Sequence, residues 1–427
     1  MKNIIVLAYT LSPTRGSEYS VAWNYVQEMS KDNRLTVLYG ASGDNMGDCK
    51  EMEEYVKQYS HPNVTFIPVY PNRWADLLNW PNRHKFLVYT FYYAYQIWQK
   101  QAYKKTKELI DNEHFDLIHY VGMIGYREPG YLWKLGLPYI WGPISGANNS
   151  PVALMGNMPL SGRLKHKFRT LANTFQLRYS TRLKRALAKT DILLTSTSEN
   201  QRIFKEVHSK DSICLPENGI IGEININEDK FTNPKKYNFI VVGRLDAGKS
   251  VNIFLEAIIL VKHKELLHVD IVGSGPLKKV WQKYAKDNGI GNLITWHGQL
   301  PREKAIQMYQ SAHLHVITSI SEGNPTTIWE AMSFGVPTLS FNHCGMHDTL
   351  RDGAGILVPI APTYAENVKR IANAVDKVLA APDCLKQLAF ATLQRAEEYT
   401  WKKRKQFWNE QYEKLSNGRG QKMDRLQ

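Results

Sequence analysis

Short runs of β-branched and other apolar residues alternate with helical stretches along nearly the whole chain. This alternation predicts parallel sheets with helices on both faces. We expect seven strands and then, after a polar interval, six more, at residues 4–10, 35–39, 64–69, 116–121, 139–141, 192–196, 212–215, 238–243, 268–273, 293–297, 313–318, 337–341 and 355–358. The expected fold class is α/β, with two doubly wound parallel-sheet domains.

The interval between the two series marks the expected domain boundary. It contains Pro216, Asn218 and Gly219 and stays polar through Pro234. A chain of 427 residues is also longer than one hydrophobic core usually serves. We therefore expect a first domain at 1–216 and a second at 217–397, with a C-terminal helix at 398–415 that packs back on the first. Ligands of such sheets bind at the carboxyl ends of the strands.

Charge and composition narrow the possible partners. Lys and Arg number 54 against 40 Asp and Glu, a formal net charge of +14. This excess favours an anionic partner: nucleic acid, an acidic lipid surface or a phosphorylated small molecule. The four cysteines are scattered singly, which predicts neither a disulfide framework nor a zinc knuckle. The apolar run at 4–8 is too short for a signal peptide, and the run at 86–98 is shorter than the roughly 20 residues of a membrane span. We expect a cytoplasmic protein.

One segment concentrates the positive charge. Residues 151–190 contain no Asp or Glu, and nine Lys or Arg fall between Arg163 and Lys189. Apolar residues recur there every three or four positions, which predicts an amphipathic helix with a basic polar face. Both this segment and the aromatic stretch from Trp74 to Trp98 could be core with solvated faces. Alternatively, they could dock on an anionic inner membrane leaflet.

Two motifs in the second half carry chemistry. Gly243 to Ser250 matches the phosphate-binding loop of P-loop nucleoside triphosphatases, with Asp270 downstream as a possible magnesium ligand. Glu322 lies on a later loop, eight positions before the helical Glu330. The start of that helix, after Pro325, is a ready anion site, and a carboxylate such as Glu330 can accept the paired hydroxyls of a ribose. The second motif suits sugar hydroxyls beside a diphosphate.

Five motifs in order, at 242–249, 272–276, 296–301, 322–332 and 335–337, resemble the donor domain of retaining glycosyltransferases of family four. The resemblance implies a GT-B fold, in which two Rossmann-like domains face each other across a cleft. It also implies that Arg244 and Lys249 neutralise the donor diphosphate, that Glu330 binds the ribose and that Glu322 lies at the donor sugar. The remaining implied donor contacts are Gly243, Gly273, Gly298, Gly323, Asn324, Pro325 and Thr326.

The same resemblance implies an activity. A hexose would move with retention from a nucleotide sugar, UDP-linked by family frequency, to a hydroxyl of a glycan or lipid-linked glycan in cell-surface polysaccharide synthesis. The family uses no metal, and the leaving phosphate oxygen takes the acceptor proton. Two alternatives stay open: a triphosphatase using 243–250, and a basic nucleic-acid-binding protein. No recognisable nucleic-acid module is present, so we expect no nucleic-acid partner.

Acceptor-side expectations are fewer. Gly16 and Ser17 form a turn and helix cap that resembles the family's acceptor-side glycine loop. His119 matches the first histidine of a strand that reads His-x-His in many members of the family, in which the second histidine lies in the active site. Here that second position is Val121, and we include His119 in the catalytic set with Glu322, Arg244 and Lys249. Arg127 and Glu128 are candidate acceptor contacts. His343, Cys344, His347 and Asp348 could ligate a metal, but the aligned loop contacts sugar in the family, so we expect no metal site.

Overall fold

The structure is a computed structural model that describes residues 1–16, 18–156, 160–220 and 222–424. The side chains of residues 160, 161, 165 and 417–424 are also left out of the description. The chain divides into two compact units. The first comprises Met1–Ala147, Asn173–Glu217 and the chain from Trp401 onward, and the second comprises Asn148–Ala172 and Asn218–Thr400.

The first unit is built on a seven-stranded sheet that is parallel throughout. Its strands are β1 (Asn3–Ala8), β2 (Arg34–Tyr39), β3 (Val64–Pro68), β4 (Leu117–Gly122), β5 (Tyr139–Ile144), β6 (Ile192–Thr195) and β7 (Ile213–Cys214). They lie in the order β3-β2-β1-β4-β5-β6-β7. Successive residues of β1 enter different cores: Ile4 and Val6 pack on one face, Ile5 and Leu7 on the other. Burial of both faces is why the strand reads as a continuous apolar run.

The second unit carries a six-stranded parallel sheet. Its strands are β8 (Tyr237–Val242), β9 (Leu267–Val272), β10 (Ile294–Gly298), β11 (Leu314–Ile317), β12 (Thr338–Phe341) and β13 (Gly355–Val358). Their order is β10-β9-β8-β11-β12-β13, so the chain reverses direction across the sheet between β8 and β11. In such sheets this switch point is where strand-end loops diverge and leave a binding site.

Fifteen α-helices of the described chain connect and flank these strands. They are α1 (Glu18–Met29), α2 (Lys50–Gln58), α3 (Arg73–Arg83), α4 (Thr90–Asn112), α5 (Leu160–Tyr179), α6 (Thr181–Lys189), α7 (Ser198–His208), α8 (Val251–Leu260), α9 (Lys278–Asp287), α10 (Arg302–Gln307), α11 (Thr326–Ser333), α12 (Cys344–Leu350), α13 (Tyr364–Ala380), α14 (Asp383–Glu398) and α15 (Trp401–Asp424). Short 3₁₀ helices occupy Leu132–Lys134, Val152–Leu154, Glu228–Phe231, Lys264–Leu266, Gly291–Leu293 and Met308–Gln310. None of the described helices combines the length and the apolar character needed to cross a membrane.

The last helix, α15, belongs to the first unit although it follows the second in sequence. Its apolar residues Trp401, Trp408 and Tyr412 are buried in the core that also contains Tyr25 of α1. The Arg404 side chain is buried as well and donates to the backbone oxygen of Pro216 at 2.6 Å. Both ends of the chain therefore contribute to one core.

All thirteen predicted strands are present, with ends within a few residues of the expected positions. The predicted domain boundaries differ from the compact units chiefly at residues 148–172, which belong to the second unit, and by three residues or fewer at Glu217 and at 398–400. The reason lies in packing: Leu154 and Met155 are buried in the core of the second sheet. The segment contains no predicted strand, so its sequence did not show which sheet it would join.

Candidate functional site

The loops after β8, β9 and β10 are bonded to each other through their backbones at the carboxyl edge of the second sheet. The Gly273 amide donates to the Gly298 oxygen at 2.7 Å, and the Leu245 amide donates to the Ser274 oxygen at 3.0 Å. A Cβ atom on Gly273 would lie 1.9 Å from the Gly243 oxygen, and its φ is +140°. Only glycine fits this backbone contact. The predicted glycines Gly243, Gly273 and Gly298 therefore lie together.

The loop from Gly243 to Ser250 has the P-loop sequence but different contacts. An Asp246 carboxylate oxygen accepts from the Gly248 and Lys249 amides at 3.0 and 3.1 Å. In a P-loop, amides at these positions point at phosphate. The Ser250 hydroxyl, which would bind magnesium there, donates to the Ala247 oxygen at 2.8 Å. An acid of the chain thus occupies the position that phosphate would take, which argues against the triphosphatase alternative.

Asp270, the other residue of the triphosphatase hypothesis, is bonded elsewhere. It lies within β9, accepts from the Asn238 side chain at 2.7 Å and contacts the His297 imidazole at 2.6 Å. Asp270 therefore acts as a cross-strand anchor for β8 and β10.

Lys249 and Glu322 form the centre of the candidate site. The ammonium group of Lys249 forms an ion pair with the Glu322 carboxylate, and both side chains are largely buried, at 31% and 21% exposure. The two residues are 73 positions apart, after different strands. The fold thus brings together one cation and one acid that separate motifs predicted. A small cavity beside them is lined by Gly243, Lys249, Thr318 and Thr327.

Arg244 is placed differently from Lys249. Its side chain is 72% exposed and its Nε lies 3.3 Å from Asp246. The second predicted diphosphate cation is thus near the same loop but points into solvent and is held by a neighbouring acid rather than by Glu322.

The loop that carries Glu322 is fixed from two sides. The Gly345 amide donates to the backbone oxygen of Glu322 at 3.1 Å, and a Cβ on Gly345 would clash with the backbone oxygen of Gly323. The Asn324 side chain accepts from the Trp329 indole at 2.6 Å, while its own amide nitrogen is buried without a partner. Helix α11 then starts after Pro325, with no side-chain cap on its amides. Uncapped amides at a helix N-terminus attract anions.

Glu330 projects from α11 and is paired with a residue that the sequence did not suggest. An Arg302 guanidinium nitrogen lies 3.1 Å from the Glu330 Oε1, and the carboxylate side chain is only 18% exposed. Burial raises the pKa of the Glu330 carboxyl above its usual value, and the Arg302 charge opposes that rise. Arg302 starts α10, directly after the Gly298–Pro301 loop. No periodicity or motif links it to Glu330, so only the fold shows the pair.

The histidine- and cysteine-containing loop at 342–348 supports the Glu322 loop. In the stretches 1–16, 18–156, 160–220 and 222–424, no group of three or more His, Cys, Asp or Glu side chains is placed to hold a metal ion. The His347 Nδ1 contacts the Asn342 side chain at 2.7 Å, and the Asn148 amide donates to the Cys344 sulfur at 3.0 Å. His347 and Cys344 are therefore engaged with different neighbours, while both ring nitrogens of His343 are buried without a hydrogen-bond partner.

His119 is a core residue, and the expectation that it acts in catalysis is corrected. Its side chain is fully buried, and Nε2 donates to the Gly142 oxygen at 3.0 Å. Nδ1 lies 2.9 and 2.8 Å from the hydroxyls of Tyr25 and Tyr412, which are also hydrogen-bonded to each other. Burial lowers the pKa of His119 to about 3, so the ring is neutral. With both nitrogens engaged, this imidazole joins α1, α15 and β5 instead of facing a substrate.

The other acceptor-side residues are placed as follows. Gly16 is exposed, has no neighbour within 4 Å of an added Cβ and does not use a left-handed φ, so the turn does not require glycine. Ser17, like Ile221 of the predicted linker, lies outside the described residues. Arg127 Nε donates to the Gln176 side chain at 2.8 Å, which joins it to α5. Glu128 is buried and pairs with Arg182 at 2.7 Å, so it is a structural acid rather than an acceptor contact.

Comparisons with known proteins agree with this geometry. Residues 223–395 match the profile of the family described as glycosyl transferases group 1. The chain is 27% identical over 201 residues to the GtfA subunit of a UDP-N-acetylglucosamine–peptide N-acetylglucosaminyltransferase from Streptococcus gordonii, a match covering 45% of this chain and 38% of that protein. It is 32% identical over 143 residues to the lipopolysaccharide 1,6-galactosyltransferase of Escherichia coli, covering 32% of this chain and 35% of that one. The matches thus span little more than a third of each curated relative.

Solved structures extend the similarity to the whole chain. The Anabaena protein HepE, solved with UDP and glucose, superposes with a TM-score of 0.61 at 13% identity, covering 97% of this chain and 100% of that one. At this identity the match establishes the fold alone. The two parallel sheets therefore form a GT-B fold, and residues 223–395 are a domain of the glycosyl transferases group 1 family.

Proposed function

We propose that the protein is a retaining glycosyltransferase. It moves a hexose from a nucleotide diphosphate sugar to a hydroxyl of a glycan or lipid-linked glycan, in the synthesis of a cell-surface polysaccharide. One observation carries the proposal: the Lys249–Glu322 pair and the α11 N-terminus share a strand-end edge. Together with Glu330 of the same helix, they form a site whose parts match those of a nucleotide sugar.

Each part of this site suits one part of the donor. Lys249 and the uncapped amides of α11 offer positive charge to a diphosphate. Glu330 offers a carboxylate that two ribose hydroxyls can share, and Glu322 lies next to the diphosphate cation, where the sugar would follow. In the structure the Lys249 ammonium is neutralised by Glu322. Donor binding therefore exchanges or shares this ion pair, since the diphosphate competes with Glu322 for the same cation.

The transfer step needs no protein nucleophile. The bond between the anomeric carbon and the leaving phosphate oxygen breaks, and the acceptor oxygen forms its bond on the same face. The acceptor proton passes to the leaving phosphate oxygen. The chain's contribution is to stabilise the developing charge on the diphosphate, for which fixed cations and amide dipoles are effective because they are oriented in advance. We expect no resident cofactor and no metal, with Lys249 and Arg244 as the cations.

UDP is the proposed nucleotide. HepE was solved with UDP, and the Streptococcus relative is named for a UDP-linked sugar. The lipopolysaccharide galactosyltransferase relative supports a lipid-linked glycan acceptor. Gly16, Ser17 and Arg127 remain predicted acceptor-side residues. A thermal-shift panel of UDP, GDP, ADP, their sugars and ATP tests the donor class, and stabilisation by ATP alone would support the triphosphatase hypothesis instead.

Substitution tests the site directly. Lys249→Ala and Glu330→Ala should each lower the transfer rate by about a hundredfold or more, because each removes a charge-assisted contact to the donor. Lys283→Ala and Glu265→Ala are matched controls, since both side chains are exposed in the same unit, at 77% and 66%. Wild-type rates for either site variant, in protein that unfolds at the wild-type temperature, would contradict the assignment.

We also propose that the segment Arg163–Lys189 contacts an anionic membrane surface, at the inner face of the membrane. Its helix α5 presents its apolar stripe to solvent: Leu164, Phe168, Leu171 and Phe175 are 58–74% exposed. The amphipathic pattern was predicted, but the outward direction of the apolar face was not. Basic residues on such a helix add attraction to anionic headgroups.

A further inference from the structure

A second exposed apolar surface lies at the junction of α3 and α4, in the first unit. Of the 23 large hydrophobic side chains that are exposed in the described chain, ten fall between residues 74 and 93. They are Trp74, Leu77, Leu78, Trp80, Phe86, Leu87, Val88, Tyr89, Tyr92 and Tyr93. We call residues 73–93 the apolar tip. Contiguous apolar surface of this kind marks a binding face, whereas single exposed side chains do not.

The helices that carry the apolar tip pack against the rest of the first unit. On α3, Ala75 and Asn79 are buried one turn apart, while Trp74, Leu77 and Leu78 are exposed. On α4, Ala94, Tyr95 and Trp98 are buried, and the Trp98 indole donates to the Val69 oxygen at 2.7 Å. Helix α3 thus leaves a wide apolar face in solvent, and α4 leaves Tyr92 and Tyr93 of its first turn exposed. The exposure is therefore a property of packed helices.

The backbone of the connecting loop is bonded within the tip. The amides of Lys85 and Phe86 donate to Asn82 and Pro81 oxygens at 2.9 Å, and the Leu87 amide donates to the Pro81 oxygen at 3.3 Å. The Thr90 amide donates to the Leu87 oxygen at 3.2 Å. These four internal hydrogen bonds lower the cost of bringing the loop into an apolar phase, because each amide without a partner would oppose entry. This property favours lipid as the partner.

The charges around the tip have the sign that a phospholipid surface requires. Arg73, Arg83 and Lys85 are exposed, and Asp76 is the only acid between residues 73 and 107. Trp and Tyr side chains beside basic residues are the composition found where proteins meet the membrane–water interface. The aliphatic and Phe side chains at 86–88 lie between these groups in sequence. The tip therefore combines an apolar centre with a basic, aromatic border.

We propose that the apolar tip inserts into the surface of an anionic lipid bilayer. The side chains of Phe86, Leu87 and Val88 enter the acyl boundary, while Trp74, Trp80 and Tyr89 lie at headgroup level. This goes beyond the proposed function and involves none of the residues assigned to the donor. It also differs from the contact proposed for Arg163–Lys189, because insertion depends on apolar side chains and is less sensitive to salt.

Vesicle flotation of the full chain tests the proposal. The tip variant is Phe86→Ser/Leu87→Ser/Val88→Ser, and the matched control is Leu260→Ser/Val280→Ser/Phe390→Ser, which removes three exposed apolar side chains from the second unit. With vesicles containing about a third anionic phospholipid, the tip variant should bind about tenfold or more weakly than wild type, and the control should bind like wild type. Brominated lipids should quench wild-type tryptophan emission more than that of Trp74→Phe/Trp80→Phe.

Each outcome decides for or against the proposal. Equal flotation of wild type and tip variant, or no flotation of wild type, overturns it. If wild type sediments as a dimer without vesicles and the tip variant sediments as a monomer, the tip binds a second copy of the chain and the lipid proposal is overturned. The thermal shift caused by UDP is measured on wild type and on every variant. If UDP does not shift wild type, the proposed function is contradicted. If only flotation fails, the membrane proposal is contradicted and the proposed function is not. A first-unit unfolding transition at the wild-type temperature in the tip variant shows that this unit is folded.

Discussion

The Arg302–Glu330 pair illustrates how single side chains set the chemistry of this site. Glu330 is nearly buried, so its charged form needs a nearby cation. Arg302 supplies one at 3.1 Å. The Tyr309 hydroxyl also faces Glu330, and burial, together with the Glu330 charge, raises the pKa of Tyr309. Because a ribose hydroxyl pair is best accepted by an ionised carboxylate, we expect Arg302 to act through Glu330 as a positioning residue.

Arg302→Ala should raise the KM for the donor about tenfold, the size of one charge-assisted hydrogen bond, and change kcat less. Removing the arginine lets burial raise the pKa of Glu330 further, so the carboxylate takes up its proton at a higher pH. The rise of KM on acidification should therefore begin at a higher pH than in wild type. Profiles of KM against pH measure this shift.

Two variants control this experiment. Arg302→Lys keeps the charge and should restore part of the wild-type profile, and Lys304→Ala removes an exposed cation from the same helix and should change nothing. A uniform loss of activity at all pH values would show a purely structural role for Arg302. It would leave the Glu330 assignment to be tested by its own substitution.

Three strand-end loops of the second sheet are joined into one unit by their backbone contacts. The loops after β8, β9 and β10 share backbone hydrogen bonds, and the glycines are the residues that allow their backbones to touch. The sequence motifs around Gly243, Gly273 and Gly298 are thus the local requirements of a single edge. Each loop holds its neighbour in place, so the position of the Lys249 loop, which follows β8, depends on the loops after β9 and β10.

Gly273→Ala should destabilise the second unit by about 3 kcal/mol or more, because the methyl group would meet the Gly243 oxygen and no side chain can move away to relieve it. Urea unfolding monitored with and without UDP measures the change. Gly291→Ala serves as the matched control, since an added Cβ there meets its nearest atom at an ordinary 3.5 Å. Equal stability of the two variants would contradict this account of the loop contact.

For the whole molecule, the important feature is that the chain returns to its first unit. Helix α15 completes a core that β1, β2 and α1 begin, and Trp408 and Tyr412 lie against His119 there. The second unit has its own separate core around β8 and α8. Two units with separate cores predict two unfolding transitions, and only the transition of the first unit depends on α15.

Trp408→Ala should lower the free energy of unfolding of the first unit by about 3–5 kcal/mol, the cost of removing a fully buried tryptophan side chain. Calorimetry in the presence of UDP identifies the other transition, because a ligand of the second unit shifts only the unit that binds it. A single transition, shifted by both the substitution and UDP, would mean that the two units unfold together.

The thirteen strands and the α/β fold class could be predicted from local patterns, because strands buried on both faces are apolar runs separated by helices. The glycines of the second sheet's edge and the two acids, Glu322 and Glu330, could be named in the same way, since their spacing is local. Which distant residues meet follows only from the packed chain, where Lys249 pairs with Glu322 and Arg302 with Glu330. Tertiary structure also placed His119 in the core, moved residues 148–172 to the second unit and turned the apolar faces of α3 and α5 outward. These depend on packing between segments far apart in the chain, which no local pattern records.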